Sequence, residues 1–129
     1  MERNLFAYLE PFDASKLRAP DVTFWTAWEG DALLGCAALK HLSATEGEVK
    51  SMRTPVARRR AGAGRALLEH LLAEARSRGY RALYLETGTH PAFHPAHALY
   101  RSAGFIDCGP YGDYVENGHS TFMKLRLGD

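Results

Sequence analysis

Residues 59–87 read RRAGAGRALLEHLLAEARSRGYRALYLET, and two periodicities meet in them. Leu67, Leu68, Leu71, Leu72 and Ala75 recur at helical spacing, which predicts a helix from about Gly62 to Arg78 with one stripe facing the core. Glu74 and Arg78 make an i,i+4 pair on its wet side, and Gly79 stands where a C-terminal cap belongs. Arg81–Thr87 then reads as a strand, with Leu83 and Leu85 on the helix-covered face. Ahead of the helix, Arg59-Arg60-Ala61-Gly62-Ala63-Gly64 brings arginines, free backbone N–H groups and the positive end of a helix dipole to one point. Gly62 and Gly64 carry no side chain, so an anion can approach the backbone closely. The loop reads as a phosphate cradle, against the plainer reading of a glycine-rich turn with solvated arginines. It lacks the Gly-Lys-Ser/Thr ending of a nucleotide-hydrolysing loop and has too few glycines for the dinucleotide pattern.

Working outward, residues 2–10 and 14–18 read as short helical pieces stopped by Pro11 and Pro20. Val22–Glu29 alternates as a strand, and Glu29-Gly30-Asp31 turns it into a second strand at Leu33–Leu42. A third strand is predicted at Glu48–Thr54, before Pro55. Beyond Thr87, a helix is predicted over His94–Ser102, with strands at Phe105–Cys108 and Ser120–Leu127. A hairpin followed by strand–helix–strand–helix–strand gives an α/β fold, a mixed sheet with helices packed on it, in one domain spanning 1–129.

The chain has 129 residues, 46% of them apolar and 24% charged, which suits one globular domain. No run approaches the ~18 apolar residues of a membrane span, and the first residues lack the build of a secretion signal. Neither membrane nor nucleic acid is read as a partner. Cys36 and Cys108 make neither a disulfide framework nor a four-ligand metal site; they read as small buried hydrophobes in a cytoplasmic protein. The net charge of +1 is uneven, because residues 50–68 hold six Lys/Arg and no acid. One cationic knot suits one small polyanion better than a nucleic-acid face. His90, His94 and His97 are interrupted by Pro91 and Pro95, so no metal is assigned.

The order strand–Pro55–R-x-x-G-x-G–helix–strand, followed by Ala96-x-x-Leu99-Tyr100-x-x-x-Gly104-Phe105, resembles the GNAT superfamily of acetyl-CoA-dependent N-acetyltransferases. The resemblance runs from about Thr23 to the C-terminus. Residues 35–40, 48–53 and 85–88 are similar to a bacterial subgroup of it labelled YsnE-like. The resemblance implies a GNAT-like fold with a shortened N-terminal layer, since only about twenty residues precede Val22. That shortening bares a flank of the sheet, to be covered by Phe6, Leu9 and Phe12 or by a second subunit in a homodimer.

The resemblance also implies a division of labour. The diphosphate of acetyl-CoA, a co-substrate, would sit on Arg59, Arg60, Ala61, Gly62, Ala63, Gly64 and Arg65. Its pantetheine arm would run beside Met52, Arg53 and Thr54 as an added strand. The acceptor, a small-molecule or peptide amine, would attack the thioester directly in a ternary complex. Tyr100 fits the general acid that protonates the departing thiolate, since a phenol near pKa 10 keeps its proton at neutral pH; otherwise it is a core tyrosine. Glu48 fits the general base, although Lys50 on the same strand face could pair with it or hold a substrate carboxylate. Glu86 is the reserve base, or else a partner for Lys50 or an arginine. Tyr111 and Tyr114 border the acceptor site or are solvated loop aromatics. The alternative function is a binding module of GNAT shape that holds acyl-CoA without turnover.

Overall fold

Alternating apolar residues in the first half of the chain build a three-stranded meander: β1 (Val22–Glu29), β2 (Ala32–Ser43) and β3 (Glu46–Arg53). The computed structural model describes residues 21–53 and 62–128, without the side chains of Ser51 and Arg53. Gly30 takes φ 60° in the β1–β2 turn, a conformation that a two-residue hairpin needs and most side chains resist. β3 begins two residues before the predicted Glu48 and passes through Gly47. Glycine is there for closeness and not for a turn, because a Cβ would lie 2.7 Å from the Tyr80 ring. Thr54, the predicted strand end, lies outside the described residues.

The helix α1 (Ala63–Ser77) follows the predicted stripe, with Leu67, Leu68, Leu71, Leu72 and Ala75 all buried. Its end is a double cap: Gly79 N–H bonds the Arg76 carbonyl and Tyr80 N–H bonds the Ala75 carbonyl, with Gly79 at φ 82°. Arg78 also pairs with Glu74 at 2.9 Å. Then come β4 (Ala82–Gly88), a single 3-10 turn at Pro91–Phe93, α2 (His94–Ser102), β5 (Ile106–Cys108) and β6 (Ser120–Arg126).

The six strands form one sheet in the order β1-β2-β3-β4-β6-β5. Among the described residues only β3 and β4 run parallel, joined by α1 as the crossover; every other neighbour is antiparallel. Trp25, Ala37, Leu39, Val49, Leu83, Leu85 and Met123 share one face and form a single core with α1 and with Tyr100 and Phe105. On the opposite face Phe24 and Ala38 are buried as well. Residues 1–20, where the N-terminal layer is expected, lie outside the described residues. Cys36 and Cys108 are half-buried, which corrects their reading as buried hydrophobes; Cys108 sits on the edge strand β5, open on one side.

Leu71 is fully buried between α1 and the sheet. Leu71→Ala is expected to cost about 2–5 kcal/mol, the loss of transfer energy plus an unfilled cavity. A shift of the denaturant midpoint at unchanged slope checks it.

Candidate active site

The site begins where the sheet comes apart. β3 and β4 pair only from Glu46↔Ala82 to Val49↔Leu85. Beyond that point Lys50–Arg53 and Glu86–Gly88 run on without pairing to each other. On the other side of β3 the register shifts by one, from Ala38↔Lys50 to Cys36↔Arg53, so β3 carries one extra residue. Such a bulge bends a strand and re-aims its groups. The far wall is fixed by α2, since His97 Nε2 donates to the Gly88 carbonyl at 2.9 Å. The Phe93 ring lies on Gly88 so closely that a Cβ there would come within 2.5 Å of it.

The resulting notch opens into a cavity of about 450 Å³ that brings together Glu48, Lys50, Met52, Glu86, Tyr100 and Tyr114. Tyr100 enters from the helix-covered face, where it is 7% exposed and meets Phe105 edge-on at 5.9 Å. Glu48, Lys50 and Glu86 alternate onto the opposite face. A phenol and two carboxylates thus face one space from opposite sides of the sheet.

Glu48 is 3% exposed and is held by the loop between β5 and β6. Tyr111 and Tyr114 both donate to its Oε2, at 2.7 and 2.8 Å. The two rings meet each other edge-on, Tyr111 meets Phe122 edge-on and Tyr114 meets it tilted, and Tyr111 also leans on Tyr84 at 4.7 Å. The Lys50 Nζ lies 4.0 Å from Glu48 Oε1 and 3.5 Å from the Tyr114 hydroxyl. Glu86 is exposed and accepts from the Ser120 hydroxyl; among the described residues it pairs with neither Lys50 nor an arginine, while Arg53, Arg58, Arg59 and Arg60 have side chains outside them.

Three phenols of the site are pushed above their ordinary pKa of 10: Tyr100 by burial, and Tyr111 and Tyr114 by burial and then by their bonds to the Glu48 carboxylate. All three stay protonated donors at neutral pH. Their folded-state values lie above the unfolded one, so the stability they supply is complete below about pH 10 and drains away as pH climbs past it. Denaturant midpoints at pH 9 and 11 are expected to fall, and to fall less in Tyr111→Phe.

The N-terminal end of α1 is formed by Gly62, at φ 81° with no atom of the described residues within 4 Å of where a Cβ would stand. The first intrahelical bond runs from Ala66 N–H to the Gly62 carbonyl, which leaves the N–H groups of Ala63, Gly64 and Arg65 without intrahelical acceptors. The Gly62 cap supplies no side-chain bond, and the first turn holds no acid. Arg65 is exposed and is turned away, donating to the Ser102 hydroxyl of α2 at 2.9 Å. Arg59, Arg60, Ala61 and Thr54 lie outside the described residues, as does the side chain of Arg53.

Among the described residues no group of three His, Cys, Asp or Glu could hold a metal, and no helix is long and apolar enough to cross a membrane. His90 caps the 3-10 turn by accepting from Ala92 N–H.

Residues 2–105 match the model of the acetyltransferase (GNAT) family. The uncharacterized N-acetyltransferase YsnE of Bacillus subtilis is 51% identical over 87% of the chain and 74% of its own length. The uncharacterized N-acetyltransferase YedL of Escherichia coli is 47% identical over 89% and 72%. A crystal structure from Klebsiella pneumoniae, assigned as an acyl-CoA N-acyltransferase, superposes with a TM-score of 0.79 at 31% identity, covering 89% of this chain and 79% of that one. A GNAT acetyltransferase from Elizabethkingia anophelis, solved with acetyl-CoA bound, shares the fold at 18% identity and a TM-score of 0.70, over 83% and 77%.

Proposed function

The chain belongs to the acetyltransferase (GNAT) family, and from that premise we propose that it moves an acetyl group from acetyl-CoA to a primary amine by direct attack within a ternary complex. The observation that carries this reading is the parting of β3 from β4 beside Tyr100, with the uncapped start of α1 following β3 in the chain. The unpaired backbone of Lys50–Arg53 suits an extended amide chain, which would bind as an added strand with Met52 against it. The amides of Ala63, Gly64 and Arg65 suit a diphosphate, together with Arg59, Arg60, Ala61 and Gly62. The fold neighbour with acetyl-CoA bound supports the same ligand class here.

In this mechanism the neutral amine attacks the thioester carbonyl, and a bulge N–H of β3 donates to the oxygen as it gains charge. Tyr100 passes its proton to the departing thiolate, a role that its raised pKa suits at neutral pH. Glu48 collects the proton released by the amine, and Glu86 on the opposite strand is the reserve for that step. Thiol release from acetyl-CoA is measured across a panel of amines. Release that depends on the amine supports transfer, whereas a rise in melting temperature with coenzyme but no release on any amine marks a domain that holds acyl-CoA without turnover.

A further inference from the structure

The acidic and basic side chains that line the cavity are not equally served. Glu48 already accepts two phenols on one oxygen, and Glu86 accepts the Ser120 hydroxyl. Lys50, the one ammonium among the described residues that line this cavity, is served worst. Among the described residues its three donors have only the Tyr114 hydroxyl at 3.5 Å and Glu48 Oε1 at 4.0 Å, both longer than the ~2.9 Å of a good charged hydrogen bond. Its side chain is one-third exposed, so the ammonium is partly stripped of water without a close partner among the described residues in exchange. Its place is also particular. Lys50 is the first residue of β3 beyond the last β3–β4 pair, on the face that carries Glu48, so its side chain stands at the mouth of the notch. Tyr114 gives its proton to Glu48 and offers its lone pair to Lys50, which fixes the ammonium there.

We infer that Lys50 selects the acceptor, and that the acceptor is a small amine bearing a carboxylate a few bonds from its nitrogen, held through that carboxylate by the Lys50 ammonium. This rests on the acetyltransferase reading given above. A zwitterion matches the lining charge for charge: its ammonium meets the Glu48 and Glu86 side, and its carboxylate meets Lys50. A polyamine would set a second cation against Lys50. A peptide lysine would bring no carboxylate within reach of it. Lys50 is therefore a specificity-determining residue that binds substrate without moving protons.

The test compares matched acceptor pairs on the unaltered protein: free amino acids and the amines left when their carboxyl group is removed. The acids are expected to show a kcat/KM at least tenfold above their amines, a typical return for one charged hydrogen bond. Lys50→Met should raise KM for the acid about tenfold or more and abolish the preference for the acid over its matched amine, with both acceptors measured at saturating acetyl-CoA. Lys50→Arg should restore the preference for acids. Equal or better turnover of the amines, or of polyamines, overturns the inference and leaves the transferase reading standing. Turnover of neither member of any pair also overturns it, and coenzyme-induced stabilisation then reports separately on the donor site.

Discussion

Tyr100→Phe is expected to lower kcat for acetyl transfer by about a hundredfold to ten-thousandfold, the usual contribution of a positioned general acid. KM for acetyl-CoA should stay nearly constant, because the phenol is needed when sulfur charge develops and not when the thioester binds. The substitution removes one oxygen and keeps the ring, so the edge-on contact with Phe105 survives. Tyr100 is buried, and burial alone accounts for its raised pKa. Losing the hydroxyl therefore costs little stability, and a drop in activity cannot be laid to unfolding. The alkaline limb of the rate profile should disappear with it, since that limb reports the loss of the phenol proton. Steady-state kinetics beside a melting curve decide the matter; a Phe variant with the parent kcat removes Tyr100 from the reaction.

Gly62→Asp is expected to divide stability from donor binding. The position has φ 81°, which costs a non-glycine residue about 1 kcal/mol, and Asp is among the side chains that tolerate it. A carboxylate beside the first turn of α1 returns about 0.3–1 kcal/mol through the helix dipole, and no atom of the described residues crowds its Cβ. The two effects nearly cancel, so the melting temperature should move by only a few degrees. Donor binding has no such compensation. The new charge faces the same uncapped N–H groups that suit a diphosphate, and KM for acetyl-CoA should rise about ten- to a hundredfold. Gly62→Asn has the same shape without the charge and should bind nearly as the parent does. Equal affinity in the Asp and Asn variants would sink the phosphate cradle.

The parts of this molecule written in local periodicity were open to reading from the sequence. The stripe of α1 and the limits of α2 at His94–Ser102 follow from apolar spacing and from Pro91 and Pro95. The predicted start of β3 at Glu48 falls two residues late, and Gly47 inside the strand answers to the Tyr80 ring, 33 positions along the chain. The bulge in β3 leaves no trace in its alternation, since it is defined by pairing with β2. Tyr111 and Tyr114 sit in a loop without any period, 63 and 66 residues from the carboxylate they hold. No rule of sequence spacing joins such positions. Tyr100 and Glu48, singled out through family resemblance, line one cavity; the two hydroxyls that bond to Glu48 had no sequence signal. The half-buried character of Cys108 likewise depends on β5 being an edge, which only the strand order reveals.

The short parallel pairing between β3 and β4 bears on how the molecule assembles. β1, β2 and β3 are joined by tight turns and can zip together early from neighbouring stretches of chain, whereas β4 must wait for β6 to return from nearly forty residues downstream. Two leaves then meet along a seam of four residue pairs, closed only once the crossover helix has docked. With so few pairs, that seam is expected to form late and to loosen before the β1–β2 and β4–β6 pairings on warming. Competence to hold a ligand in the gap should therefore fade some degrees before the leaves themselves melt.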